Sequence, residues 1–150
     1  MIHIIPLNIL PIQDDGFHLS FHAFIGKEPV HMLVDTGASR TVFDKEKICN
    51  LLNIKDKDLT ENSGPSGGIG TTNLQSSVTE ISELTLGTWI LRSYPTALID
   101  LQQVNILFRT IGLPEVDGIL GGDLLEKACA VIDYGKKIMK LKVPKHHKFW

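Results

Sequence analysis

The sequence predicts a mainly β protein in which short strands form a closed or partly open barrel and a few short helices connect them. Three observations favour this fold class: apolar and polar residues alternate in short runs, glycine and proline separate the runs, and the segments with a helical pattern are short. A chain of 150 residues, 43% of them hydrophobic and 21% charged, can bury one core. We therefore expect one domain over residues 1–150, with an N-terminal segment (1–14), a core (15–143) and a tail (144–150).

A β-hairpin is predicted over residues 17–34. Its first strand, residues 17–25, alternates between a face expected to be buried and a face expected to meet solvent. Gly26-Lys27-Glu28-Pro29 forms the turn, and residues 30–34 form the second strand. Residues 1–14 form an interface strand, a pro-segment or an edge strand. The face expected to be buried carries Phe17, Leu19, Phe21, Ala23 and Ile25, and the other face carries His18, Ser20, His22 and Phe24.

The middle of the chain predicts a helix, a glycine-rich hairpin and two longer strands. Residues 44–53 form a short helix for which Asp44 is the N-cap. Residues 64–72 are rich in glycine, which favours the tip of a mobile hairpin over the interior of an element. Strands follow at residues 77–86 and 89–99.

The last third of the chain combines short helices with short strands. Residues 102–111 form either a short helix or an irregular segment. Residues 116–120 form an apolar strand, and residues 122–130 form a helix that Asp123 begins. The remaining strands form a closing hairpin that turns at Gly135-Lys136 and comprises residues 131–134 and 137–143.

The stretch that carries chemistry is Asp35-Thr36-Gly37-Ala38, which directly follows the second strand of the hairpin. A carboxylate at the end of a buried strand is costly unless hydrogen bonds receive it. Thr36 supplies a hydroxyl, and the small residues Gly37 and Ala38 let backbone N–H groups turn toward the acid. The first three residues of the motif also fit an Asx-type turn that merely ends the strand.

A second stretch, residues 117–125, favours a chemical role for Asp35 over a simple Asx-type turn. Two apolar residues are followed by Gly121-Gly122 and by Asp123, which opens the predicted helix. Together with the Asp35 motif and the glycine-rich segment 64–72 between them, this stretch resembles the retroviral-type (retropepsin-like) single-domain aspartic proteases, especially the bacterial and cellular members. The resemblance covers residues 15–143.

The resemblance implies a retropepsin-like closed acid-protease barrel with one or two short helices and one lobe per chain. Since the Asp-Thr-Gly motif occurs once, it implies a homodimer in which two Asp35 carboxylates activate water to hydrolyse a peptide bond. No metal or cofactor is required. The implied catalytic residues are Asp35, Thr36 and Gly37, and the implied substrate-binding residues are Ala38 and the flap residues Gly67, Gly68, Ile69 and Gly70. Further candidates for lining an apolar substrate pocket are Val30, Ile69, Leu98 and Ile119.

Charge, hydropathy and cysteine content argue against other function classes. A net charge of −2 attracts neither nucleic acid nor anionic lipid, and no apolar run is long enough to cross a bilayer. The first residues lack the features of a secretory signal, so a cytoplasmic location is expected. Cys49 and Cys129 are expected to be reduced and half-buried. His18 and His22 are about 13 Å apart on one strand face, too far for one metal ion, and are expected to face solvent.

Two other functions stay open at this point. The chain could be a catalytically silent dimerisation or peptide-binding module of the same fold, although such a module gains nothing from a costly pair of facing acids. It could also be a small-ligand-binding β-barrel with residues 64–72 as a lid, which would be a monomer. Inhibition by pepstatin and loss of cleavage in Asp35→Asn distinguish a protease from both.

Overall fold

The computed structural model describes residues 1–62 and 76–145, and this part of the chain is mainly β. The strands are β1 (Ile2–Pro6), β2 (Asn8–Ile12), β3 (Gly16–Ile25), β4 (Glu28–Val34), β5 (Val42–Asp44), β6 (Thr60–Asn62), β7 (Ser76–Leu86), β8 (Trp89–Ile99), β9 (Gly118–Leu120), β10 (Val131–Asp133) and β11 (Ile138–Lys142). The helices are α1 (Lys45–Leu52), α2 (Gln102–Thr110), α3 (Gly122–Lys127) and a 3-10 turn (Asp56–Asp58).

Most of the strands belong to one sheet with the order β2-β3-β4-β9-β5-β8-β7-β6, in which β3 also pairs with β7. The hairpins β3–β4 and β7–β8 are antiparallel. By contrast, β9 runs parallel to β4, and β5 runs parallel to β8. A second sheet has the order β1-β11-β10. The late strand β9 therefore lies in the sheet between β4 and β5, the two early strands that the Asp35 loop connects.

Local chemistry accounts for where the first hairpin and α1 begin and end. Gly26 adopts a positive φ of 57°, which the two-residue turn between β3 and β4 requires. The Asp44 carboxylate accepts a hydrogen bond of 3.1 Å from the Lys47 N–H and caps α1, as the sequence predicts. The helix ends at Asn53, which adopts the left-handed conformation.

Two clusters of buried side chains hold these elements together. The larger cluster lies between the main sheet and the second sheet and includes the fully enclosed Phe21, Met32 and Phe43. The smaller cluster consists of Leu33, Leu101, Phe108 and Val116, and it packs α2 against β4. Since Leu33 lies two residues before Asp35, this second cluster supports the strand that ends at the candidate site.

Most of the predicted elements are confirmed. The hairpin 17–34, the capped helix after Asp44, the strands at 77–86 and 89–99 and the closing hairpin turning near Gly135 all occur within one or two residues of the predicted bounds. The ambiguous segment 102–111 is a helix, α2. Residues 1–14 contain β1, paired with β11, and β2, paired with β3. The assignment of all 150 residues to a single domain stays a prediction.

Other predictions about the fold are wrong. The described residues contain three α-helices, within what the residue pattern predicts and more than the one or two that the resemblance implies. Phe17 is exposed because it lies at the end of β3, beyond the large cluster, whereas Ser20 is buried because its cross-strand partner Leu33 lies under α2. Cys49 is half-buried as expected, but Cys129 is exposed. Among the described residues, no helix is both long and apolar enough to span a membrane.

Candidate active site

The Asp35 loop crosses the end of β9. Val34, the last residue of β4, pairs in parallel with Leu120, the last residue of β9. The Asp35 N–H then donates to the Leu120 carbonyl at 3.0 Å. On the other side, β5 pairs antiparallel with β9 through Val42 and Phe43. Residues 35–41 therefore leave one neighbour of β9, pass over its carboxyl end and return as its other neighbour.

Gly121 makes this crossing possible because two backbones approach closely there. A Cβ atom at Gly121 would lie 2.5 Å from the carbonyl carbon and oxygen of Arg40 and 2.9 Å from the nitrogen of Thr41. Such distances to backbone atoms are too short for a side chain, so glycine is needed at this position. At Gly118 the close contacts are to side chains: a Cβ atom would lie 2.6 Å from Sδ of Met32 and 2.9 Å from a ring carbon of Phe43, so a side chain there would require these two to repack.

One backbone donor holds the Asp35 side chain. One carboxylate oxygen, Oδ1, accepts a hydrogen bond of 2.9 Å from the Gly37 N–H. The Asp35 carbonyl accepts from the Ala38 N–H at 3.2 Å, which closes the turn. Asp35, Thr36 and Gly37 are nevertheless exposed. With respect to residues 1–62 and 76–145, the second carboxylate oxygen is a free acceptor.

The loop is anchored to α3 through backbone hydrogen bonds. The Gly122 N–H donates to the Ala38 carbonyl at 2.7 Å, and the Asp123 N–H donates to the Ser39 carbonyl at 3.2 Å. These are N–H groups of the first turn of α3 that have no partner within the helix. The predicted substrate-binding residue Ala38 is thus half-buried, and its carbonyl holds the loop in place.

Asp123 is bonded within the chain to Thr41. Its Oδ1 accepts hydrogen bonds of 2.7 Å from both the N–H and the hydroxyl of Thr41, and Thr41 Oγ1 accepts from the Gly121 N–H at 3.0 Å. Tyr94 also hydrogen-bonds Thr41, and burial is the main cause that raises the pKa of its phenol. The expectation that Asp123 begins a helix is refined: the N-cap of α3 is Gly121, and the Asp123 carboxylate fixes the loop.

An open pocket of about 310 Å³ lies beside Asp35 and Thr36. Leu19, Leu33 and Val34 contribute its apolar surface from the hairpin β3–β4. Ile132 and Tyr134 close it from the side of β10, and His18 contributes a polar side chain. The pocket is large enough for a single amino-acid side chain.

The other predicted site residues have different outcomes. Gly67, Gly68, Ile69 and Gly70, the proposed flap, lie outside the described residues. Val30 and Leu98 are wrong as pocket residues because both are fully enclosed in the larger core cluster, while Ile119 is half-buried in the smaller one. Within the described ranges, no group of three or more His, Cys, Asp or Glu side chains is arranged to hold a metal ion.

Three residues near the site are not predicted as site residues from the sequence: Thr41, His18 and Tyr134. A hydroxyl residue a few positions after Asp35 is too common a signal to identify Thr41 before its partner Asp123 is known. His18 could have been found by counting back from the turn at Gly26, because the antiparallel register places it opposite Asp35. Nothing in the sequence indicates that Tyr134 reaches the same pocket.

Comparisons with known proteins agree with this geometry. The sequence matches the aspartyl protease family over residues 22–124. No curated protein matches it. A retropepsin-like aspartic protease from Rickettsia conorii has a similar structure, with a TM-score of 0.59 and 20% identity over 94% of this chain and 89% of the other. The retroviral protease-like domain of Ddi1 from Leishmania major is similar at a TM-score of 0.55 and 16% identity, over 83% of this chain and 87% of the other.

The two structural similarities identify the fold, and the family match covers more than half of the chain. The match includes both the Asp35 loop and the end of β9 that it crosses. The chain therefore belongs to the aspartyl protease family and has the retropepsin-like fold.

Proposed function

We propose that this protein is an aspartic endopeptidase that acts as a homodimer, with one Asp35 from each chain. The observation that carries the proposal is an exposed carboxylate held by a backbone hydrogen bond at the end of a buried strand, in a chain of the aspartyl protease family. A rigid acid with a free oxygen on the surface is suited to meet a symmetry-related copy. A C₂ axis through this point would supply the second acid without a second motif.

The surroundings of five other aspartates support a single catalytic position. Asp123 is bonded to Thr41, and Asp117 accepts a hydrogen bond from the His31 N–H at 2.8 Å. Asp44 accepts from Lys47 and Leu101, and Asp100 and Asp133 each accept a backbone N–H nearby. These carboxylates stabilise turns and helix ends. Asp35 differs because its loop lies at a crossing of strands and borders a pocket.

The mechanism follows from placing two carboxylates within hydrogen-bond distance. Both cannot ionise at low cost, so the pair holds one proton between them. The ionised carboxylate accepts a proton from a water molecule, which attacks the scissile carbonyl, while the protonated one donates to the carbonyl oxygen. The resulting tetrahedral diol then collapses: it returns a proton to the carboxylate pair, the C–N bond breaks, and the leaving amine takes the proton that the first carboxylate had accepted. Thr36 would hold the two loops together across the axis, and Gly37 would let the substrate backbone approach.

Several finer features belong to this proposal. The four flap residues at 67–70 would cover an extended substrate, as the glycine content of this segment suggests. The pairing of β3 with β7 supports a closed barrel. No metal or cofactor is needed for the proposed chemistry, the proposed substrates are peptides or proteins, and the expected location is the cytoplasm.

Mixing experiments test the shared site directly. The wild-type protein should cleave a fluorogenic peptide library, and pepstatin should inhibit the cleavage. When wild type and Asp35→Asn are mixed in equal amounts and allowed to exchange subunits, only about a quarter of the dimers contain two acids. The activity should therefore fall to about a quarter of that of the undiluted wild type, and not to the half expected of independent monomers.

Three outcomes contradict the proposal. Activity that falls linearly with the wild-type fraction would place a complete site in one chain. A dimer in analytical ultracentrifugation that cleaves no peptide and does not bind pepstatin would instead support the catalytically silent module. A monomer at all concentrations would favour the small-ligand-binding barrel.

A further inference from the structure

The imidazole of His18 lies opposite the candidate catalytic acid. In the hairpin β3–β4, Leu19 pairs with Val34, so the next position on each strand is occupied by His18 and Asp35. Both side chains line the same pocket of about 310 Å³. A substrate side chain in this pocket would therefore contact the imidazole while its backbone lies near the acid.

A neighbouring aromatic ring orients His18. Its imidazole stacks on the Phe108 ring with a centroid distance of 5.8 Å and an interplanar angle of 27°. Phe108 is buried and packs in the smaller core cluster together with Leu33, so its ring has a fixed position. The His18 side chain is exposed, and no residue within 1–62 or 76–145 hydrogen-bonds it. Its ring nitrogens thus remain available to a ligand.

The pocket combines an apolar surface with few polar groups. Leu19, Leu33, Val34 and Ile132 provide the apolar surface. The titratable groups that share the pocket with His18 are Asp35 at the end of β4 and Tyr134 after β10. The nearest neighbours on the other elements are neutral: Phe108 on α2 and Leu10, the cross-strand partner of His18 on β2. His18 is therefore the group in the pocket that can carry a positive charge.

We propose that His18 determines substrate specificity by selecting an acidic side chain, foremost glutamate, at a position next to the scissile bond. This inference rests on the proposed protease function. The methylene groups of glutamate would lie on the apolar surface, and its carboxylate would meet the imidazolium. The interaction is an ion pair between the protonated imidazole and the substrate carboxylate.

Paired peptides test this inference. Glutamate and glutamine are compared at each position flanking the cut, and the ratio of kcat/KM is measured at about pH 5. At one position, wild type should prefer glutamate roughly threefold to fivefold, the range expected of a solvent-accessible ion pair. His18→Gln should remove the preference. His18→Arg should keep it, because arginine also carries a positive charge.

His22→Gln is the matched control. His22 is an exposed histidine on the same face of β3, about 13 Å from His18, and its ring contacts His31. This variant should keep the wild-type ratio. A glutamate preference in His18→Gln that equals that of a cleaving wild type, or its loss in His18→Arg, would overturn the assignment. A wild type that cleaves no peptide would overturn the protease proposal itself, and the specificity role with it.

Discussion

Two strands that lie side by side are each followed by an aspartate, and the two aspartates differ in exposure and in hydrogen bonding. β4 and β9 are parallel neighbours, and their last residues, Val34 and Leu120, are paired. After β4, Asp35 is exposed and accepts one hydrogen bond from its own loop. After β9, Asp123 is half-buried and accepts two hydrogen bonds from Thr41. The same crossing of strands thus contains one acid with a free oxygen and one acid committed to holding the loop.

The difference shows that one aspartate stabilises the loop, while the other is available for chemistry. A charged group that accepts two hydrogen bonds inside the chain contributes to stability and is not available for a substrate. Asp35 is not needed to hold its loop, because Leu120 and Gly122 fix the loop through backbone hydrogen bonds and the Thr41 hydroxyl accepts from the Gly121 N–H. The residues following β9 therefore position the residues following β4.

The largest expected effect separates the two acids by activity. Asp35→Asn should lower kcat/KM by about a thousandfold or more, since a neutral amide cannot accept the proton of water. Its free energy of unfolding should change by less than about 0.5 kcal/mol, because the side chain is exposed. Asp123→Asn should give the reverse result: a loss of about 1–2 kcal/mol as a charge-assisted hydrogen bond becomes neutral, with activity retained in the folded fraction.

Peptide cleavage and urea denaturation measure the two quantities at a fixed protein concentration, so that dimerisation does not confound the comparison. The division between the two acids would be wrong if Asp123→Asn abolished cleavage without loss of stability. It would also be wrong if Asp35→Asn unfolded the protein.

A second prediction concerns the close approach beneath the loop. Gly121→Ala places a methyl group 2.5 Å from the Arg40 carbonyl, so the crossing must open, and we expect a loss of about 3 kcal/mol in the free energy of unfolding. Gly122→Ala is the matched control, because its nearest contact would be an ordinary 3.4 Å to the Ala38 carbonyl oxygen. Thermal denaturation compares the two. Equal losses of stability in the two variants would show that the close contact between Gly121 and Arg40 does not determine the position of the loop.

Much of this arrangement could be predicted from the sequence. The rest depends on contacts between parts of the chain that are distant in sequence. The Asp44 cap and the hairpin turning at Gly26 are local, so residue types and periodicity predicted them. The partnership of Asp123 with Thr41 joins residues that are far apart along the chain, and no local pattern indicates it. Alternation also failed at Ser20, because α2 covers a face of β3 that the strand pattern assigns to solvent.

The smallest expected effect tests whether Tyr94 is one of the residues that stabilise the crossing of strands. Tyr94 lies behind Thr41, and its hydroxyl hydrogen-bonds Thr41 and Thr96. Tyr94→Phe should lower the free energy of unfolding by about 1 kcal/mol at neutral pH, the usual net value of one hydrogen bond.

The difference in free energy of unfolding between Tyr94→Phe and the wild type should depend on pH. This dependence is a sharper test than the size of the difference at neutral pH. Burial raises the pKa of Tyr94 in the folded protein, whereas the unfolded chain ionises near the usual 10.0. The unfolded state therefore loses this proton first, and the wild type loses stability as the pH rises above about 10. Phenylalanine has no proton to lose, so the difference between variant and wild type should shrink above this pH and then change sign. A constant difference from pH 7 to about 11 would mean that the phenol is solvated in the folded state and does not support Thr41.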